Sequence, residues 1–248
     1  MQNNYSDMIQ FVIDIRTLVI NVSSNTARRD SMSERLLQKG ISFTFVEAIE
    51  SKDIIPTDSR FLTSTAEAVW KSHLKCLSIA AEYSSPTLIL EDDAILYFDE
   101  KSLQEIVDTM LSKSLDFIQL GYLGINLAER LSIKARNLYA FFTRNSLLSS
   151  FFTIFGFKEV QRARSQTWRK MLPPNFVVND IRFGAHCYLV TPQFAKKILL
   201  LNSPAFLPAD DFFVSLSRAK AFKMIRLKKS SAAQDNSQSA FSTRFLLQ

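Results

Sequence analysis

Glu91-Asp92-Asp93 is the segment of this sequence best suited to chemistry. Three consecutive carboxylates repel one another unless a cation or cationic side chains compensate. Their hard oxygens suit Mn²⁺ or Mg²⁺, which usually take one or two carboxylates and complete their shell with substrate phosphates. In an extended segment residues i and i+2 point the same way, so Glu91 and Asp93 are expected to share a task while Asp92 faces elsewhere. An acidic loop that caps the following turn, or pairs with arginine, fits the same three residues, and the cluster alone leaves both readings open.

Other residues carry chemistry with a structural alternative beside it. Asp210-Asp211 follows Pro208 and starts a predicted helix, so N-terminal capping competes with a role for Asp210 as general base or as a group in a metal shell. His73 lies on an apolar helical stripe and is either a satisfied core histidine or a site residue. Arg28 and Arg29 open a helix, as part of a solvated face or as contacts to a diphosphate. His186, in a predicted strand beside Tyr188, reads as structural. Cys76 and Cys187 have no framework or metal-type spacing and read as two buried, reduced thiols.

The elements that would position these groups alternate. Leu18 to Val22 is a β-rich run, and a helix over Thr26 to Lys39 follows, capped by Asn25, with Met32 and Leu36 on one face and Gly40 after its end. Ile41, Phe43 and Phe45 alternate with Ser42 and Thr44, which predicts a second strand. After a loop over residues 51–62, Ser64 to Tyr83 is the clearest helix, with Ser64 and Glu67 as a capping box. Its stripe is Ala66, Val69, Trp70, His73, Leu74, Leu77 and Ala81. Thr87 to Leu90 is a short apolar run of the buried parallel type, feeding the acidic cluster. A helix over Ser102 to Ser112, a strand over Asp116 to Leu120, a strand over Gly184 to Thr191 and helices over Pro192 to Leu201 and Asp210 to Ala221 follow. Met224 to Leu227 is the last predicted strand, and the tail from Ser230 reads as loop. This alternation predicts an α/β sheet with helices on its faces, where ligands bind beyond the carboxyl ends of the strands.

The totals are permissive. The 248 residues are 47% hydrophobic, with 21 Phe and 5 Gly, enough for a sizeable core and against disorder over most of the chain. A net charge of +6 suits phosphate-bearing ligands or an anionic membrane surface. Met8 to Val22 lacks a basic flank before it and contains Asp14 and Arg16, so no secretory signal is expected, and no apolar run is long enough for a spanning helix.

Several segments in order resemble glycosyltransferase family 25, which includes bacterial lipooligosaccharide galactosyltransferases. They are Ile20-Asn21-Val22, Arg28-Arg29, Gly40-Ile41 with Phe43-Thr44-Phe45, Ser72-His73-Leu74, Leu88 to Asp93, Asp116 to Gly121, Gly184 to Val190 and Pro208-Ala209-Asp210. The resemblance covers about residues 17 to 125 and 182 to 240. Ala68 and Val69 stand where the family often has Gly-Cys, and Val22 where it usually has Leu.

The resemblance implies a GT-A-like nucleotide-sugar-binding fold with a mixed, mostly parallel sheet. It also implies a UDP-sugar donor (often UDP-galactose), Mn²⁺ or Mg²⁺, and inverting transfer to a saccharide acceptor of lipooligosaccharide or lipopolysaccharide. Carried over by position, Glu91 and Asp93 take the metal and nucleotide motif. Asn21, Arg28, Arg29 and Gln234 lie by the donor, and His73 and Asp210 take catalytic positions. The expected reaction is direct displacement, with a cation at Asp93 and Glu91 answering charge on the leaving diphosphate and Asp210 taking the acceptor's proton.

The expected organisation is one domain over 1–248: a nucleotide-sugar half (17–125), a variable basic and aromatic insertion (126–180), and an acceptor-side half with tail (181–248). Between Glu129 and Lys170 the basic residues are Arg130, Lys134, Arg136, Arg144, Lys158, Arg162, Arg164, Arg169 and Lys170, against Glu129 and Glu159 alone. Phe141-Phe142, Phe151-Phe152, Phe155 and Phe157 are interleaved with them. A basic surface over a helical core fits this composition, and so does attachment to an anionic membrane surface. No nucleic-acid motif accompanies the charge. The expected location is cytoplasmic, peripheral on the inner face of the cytoplasmic membrane. The rival reading is a catalytically silent membrane-surface or carbohydrate-binding protein on the same fold, which Ala68-Val69 favours and the intact acidic motif opposes.

Overall fold

In the computed structural model of the chain, residues 15–54, 62–123, 175–178, 180–201 and 207–235 are described. Alternation within one strand, β3 (Thr87–Glu91), shows how the core is divided. Leu88 and Leu90 face one side of the sheet and Ile89 the other, and each side has its own apolar cluster. The strand is buried on both faces, as its continuous apolar run predicts.

β3 sits between β1 (Arg16–Asn21) and β7 (Cys187–Val190) in a seven-stranded sheet ordered β2-β1-β3-β7-β5-β8-β6. The remaining strands are β2 (Thr44–Glu47), β5 (Phe117–Gln119), β6 (Phe176–Val178) and β8 (Met224–Leu227). β2, β1, β3, β5 and β8 run one way; β7 and β6 run the other. The protein is therefore a mixed α/β fold whose sheet is mostly parallel, as expected. β6 lies in the 126–180 stretch where the sequence showed no clear element.

Helices cover both faces. Trp70, Leu77 and Ala80 of α2 (Ser64–Ala81) pack with Phe194 and Ile198 of α4 (Pro192–Leu199) and Phe212 and Phe213 of α5 (Ala209–Ala219). On the opposite face Met32 and Leu36 of α1 (Thr26–Gln38) join Leu103, Val107 and Met110 of α3 (Glu100–Ser112). The helix starts are set by short polar side chains: Asn25 Oδ1 accepts from Arg28 N at 3.3 Å and Asp99 Oδ1 from Ser102 N at 2.9 Å.

Three expectations are corrected. The cap of α2 is Thr63, whose Oγ1 accepts from Ala66 N, while Glu67 pairs with Lys71 at 2.9 Å and makes no capping box with Ser64. Val69 is not in the apolar core: it is 42% exposed. The tail from Ser230 is not all loop, because β9 (Ala232–Gln234) pairs antiparallel with β4 (Ala94–Leu96), a two-stranded sheet directly after the acidic cluster. The basic and aromatic part of the 126–180 insertion, Glu129 to Lys170, with its apolar run from Leu138 to Phe157, lies outside the described residues.

Candidate active site

Strand direction assembles the site. β1, β3 and β5 run together, so Asn21, Glu91 and Gly121 arrive at one edge of the sheet. β7 runs the opposite way, so the residues preceding it, Gly184 to His186, reach the same edge. Glu91 N donates to His186 O at 3.0 Å, and Gly121 N to Cys187 O at 3.0 Å, which ties the strand ends together.

The acidic cluster divides its work differently from the expectation. Asp92 and Asp93 form a turn between β3 and β4, so the segment is not extended and the i, i+2 argument does not hold there. Asp92, expected to face elsewhere, is buried and accepts from Asn21 Nδ2 at 2.8 Å and Arg28 Nη1 at 3.0 Å. Arg28 Nη1 is also 3.9 Å from Asp93 Oδ2. Glu91 has partners of its own: Oε1 lies 3.2 Å from His73 Nε2 and Oε2 accepts from Gln234 Nε2 at 3.3 Å. Burial works against its ionisation, but the hydrogen bonds from His73 and Gln234 outweigh it and hold the carboxyl below its ordinary range.

Asp93 is in the opposite condition. Burial, then the charge of Glu91, raise its carboxyl to about 7, with Arg28 opposing them. Its Oδ1 is buried with no hydrogen-bond partner among the described residues. A carboxylate so discouraged from ionising, with one oxygen unanswered, fits a divalent cation. Among the described residues no group of three or more His, Cys, Asp or Glu is arranged to hold a metal. A cation here would need ligand oxygens from a bound substrate, which is the usual condition of Mg²⁺ beside phosphates.

Two cavities meet at this edge, and Glu91 and Val69 line both. The smaller, of about 190 Å³, is walled by Asn21, Arg28, Ser72, His73, Asp92 and Asp93. The larger, of about 430 Å³, is walled by Thr63, Thr65, Gly184, Ala185, Asp210 and Gln234. The exposure of Val69 thus has a local reason.

Asp210 lies in the first turn of α5, where Pro208 holds the cap position without a side-chain bond, so this carboxylate is not the helix cap. Burial, then the charge of Glu91, raise it to about 6; the backbone N–H groups of Gly184 and Ala185 pull the other way. It is a half-buried carboxylate poised near neutrality on the wall of the larger cavity.

The candidates divide accordingly. Asn21, Arg28, His73, Glu91, Asp93, Asp210 and Gln234 all come to the two cavities. Arg29 lines neither; its guanidinium stands 4.1 Å over the Phe45 ring. His186 is fully buried, and burial lowers its pKa, in keeping with a neutral structural role. Cys76 and Cys187 are free and buried, and burial pushes the Cys76 thiol up to about 12. Sequence reasoning passed over Asp92 and the wall residues Thr63, Thr65 and Gly184. Asp92 and Gly184 lie within segments that carry the family resemblance, and Thr63 precedes α2 at a position that suits a helix cap.

A family model described as glycosyltransferase family 25 (LPS biosynthesis protein) matches residues 14–213. No curated protein matches the sequence. Among solved structures, an active-site mutant of LgtC is similar, with 12% identity and a TM-score of 0.38 over 85% of this chain and 72% of that one.

Proposed function

The chain belongs to glycosyltransferase family 25, and from that premise we propose that it transfers a hexose from UDP-galactose, or a related UDP-sugar, to a saccharide acceptor of lipooligosaccharide or lipopolysaccharide. The family makes the protein a glycosyltransferase; donor, metal and stereochemistry are our reading. One observation carries it: a cavity bearing Arg28 and the acidic turn joins a cavity bearing Asp210, with Glu91 at the junction.

The smaller cavity would take the nucleotide end of the donor. Asn21 and Arg28 are held in place by Asp92, and Arg28 offers positive charge towards a diphosphate. Asp93, with Glu91 beside it, would hold Mn²⁺ or Mg²⁺. A cation bound there would supply positive charge against the leaving diphosphate. The larger cavity would take the transferred sugar and the acceptor. Asp210 would accept the proton of the attacking hydroxyl, and its raised pKa makes it a stronger base than an ordinary aspartate. Attack from the side opposite the diphosphate inverts the anomeric carbon. Gln234 and His73 fix Glu91 between the two substrates. The GT-A assignment, and the division into a nucleotide-sugar half at 17–125 and an acceptor-side half at 181–248, belong to the same proposal.

Calorimetry with a panel of UDP-sugars tests the donor half of this reading. Tighter binding of UDP-galactose with Mn²⁺ than with EDTA is expected. No binding of any UDP-sugar under either condition would overturn it.

A further inference from the structure

α2 runs past both cavities, and its cleft-facing side chains divide in order along the helix. Thr65 and Ala66 line the larger cavity alone, Ser72 and His73 the smaller alone, and Val69, between them, lines both. This is one helical face, because side chains three and four positions apart are neighbours on a helix. Of the residues that line these two cavities, only Glu91 shares Val69's double position.

The polar groups around this junction are already committed. Ser72 Oγ accepts from Ile49 N and donates to Ala68 O, each at 2.8 Å. His73 Nδ1 lies 2.8 Å from Tyr188 Oη, and Glu91 is held by His73 and Gln234. Val69 has no polar side-chain atom to commit. It is 42% exposed, although its neighbours Ala68 and Trp70 are buried. A β-branched side chain is stiff in a helix, so Val69 presents its methyl groups to the junction in a fixed direction.

Transfer between the cavities places the anomeric carbon of the donor sugar where they meet, with the diphosphate on one side and the attacking hydroxyl on the other. Ring carbon C2 is bonded directly to that carbon, so its substituent enters the same passage. An acetamido group there is far bulkier than a hydroxyl. We propose that Val69 is a specificity-determining residue: its side chain narrows the passage so that a sugar with a C2 hydroxyl fits and a 2-acetamido sugar does not. The proposal rests on the nucleotide-sugar reading above and adds the donor class to it.

Calorimetry with Mn²⁺ tests it on two matched pairs, UDP-galactose against UDP-N-acetylgalactosamine and UDP-glucose against UDP-N-acetylglucosamine, with UDP alone as reference. The unaltered protein is expected to prefer the C2-hydroxyl member of at least one pair by about 10-fold or more. Val69→Ala opens the passage and suits a helix, and is expected to bring that pair within about threefold while UDP affinity holds. Val69→Thr keeps the branched shape at an exposed position and is expected to keep the preference. A preference retained in Val69→Ala, or lost equally in Val69→Thr, overturns the proposal. UDP binding by the unaltered protein with no such preference in either pair overturns it alone and leaves the nucleotide-sugar reading standing. If neither UDP nor any UDP-sugar binds, that reading falls and the proposal falls with it.

Discussion

At the scale of single residues, the account turns on carboxylates placed in unlike surroundings along one cleft. Asp210, raised to about 6 from an ordinary 3.8, binds its proton more tightly in the folded than in the unfolded chain. Its contribution to stability therefore declines as pH rises from about 3.8 to about 6 and stays lower above that. Asp210→Asn removes this loss. Its melting temperature is expected to exceed that of the unaltered protein at pH 8 and to match it near pH 3, by calorimetric scans. Turnover should fall by about 10² to 10⁴ with donor affinity retained. An equal loss of UDP affinity would move Asp210 into the donor or metal shell, and full turnover would remove it from the chemistry. Asp93→Ala is expected to abolish metal-dependent UDP binding with the fold intact, because the residue sits in a turn and not in the core. Unchanged Mn²⁺-dependent affinity in that variant would sink the assignment.

Elements explain how residues so far apart in sequence meet. The reversed β7 brings Gly184 and His186 to the edge where β3 and β5 end, and the imidazole takes the space beside Gly121. A Cβ on Gly121 would lie 2.4 Å from His186 Nε2 and 3.0 Å from Cys187 Cβ, and both of those residues are fully buried. Gly121→Ala is therefore expected to cost about 1–3 kcal/mol, read as a lower urea midpoint. An unchanged midpoint would show that the strand ends yield. The elements were legible in sequence where apolar periodicity was strong: α1, α2, β3 and β8 lie close to their predicted spans. Strand direction was not legible, since a buried antiparallel strand such as β7 has the same continuous apolar run as a parallel one. β9 was hidden because Ala232-Ala233-Gln234 has no β-branched or aromatic residue; its partner β4 makes it a strand. The role of Asp92 was hidden for a related reason, because a turn redirects its side chain to Asn21 and Arg28.

At the scale of the whole molecule, the two cavities and the basic insertion suggest how enzyme and acceptor would meet. Among the described residues no helix is long and apolar enough to cross a membrane. In the Leu138–Phe157 stretch Arg144 interrupts the apolar residues, and burying it in hydrocarbon would cost about 3 kcal/mol or more, whereas lying along an interface avoids that cost. We therefore expect the protein to float with anionic vesicles at low salt and to be released at high salt, as screening weakens the basic contribution. Absence of binding at low salt would leave the insertion without this role; binding that resists salt would shift the weight to its aromatic residues. The central claim, that sugar passes from a nucleotide donor in one cavity to an acceptor in the other, is tested most directly by a transfer assay. The chain is incubated with UDP-galactose and truncated lipooligosaccharide, with Mn²⁺ or with EDTA, and the acceptor is weighed by mass spectrometry. The account predicts an acceptor heavier by one hexose with Mn²⁺ and unchanged with EDTA. An acceptor unchanged under both conditions, with every UDP-hexose supplied, would contradict it.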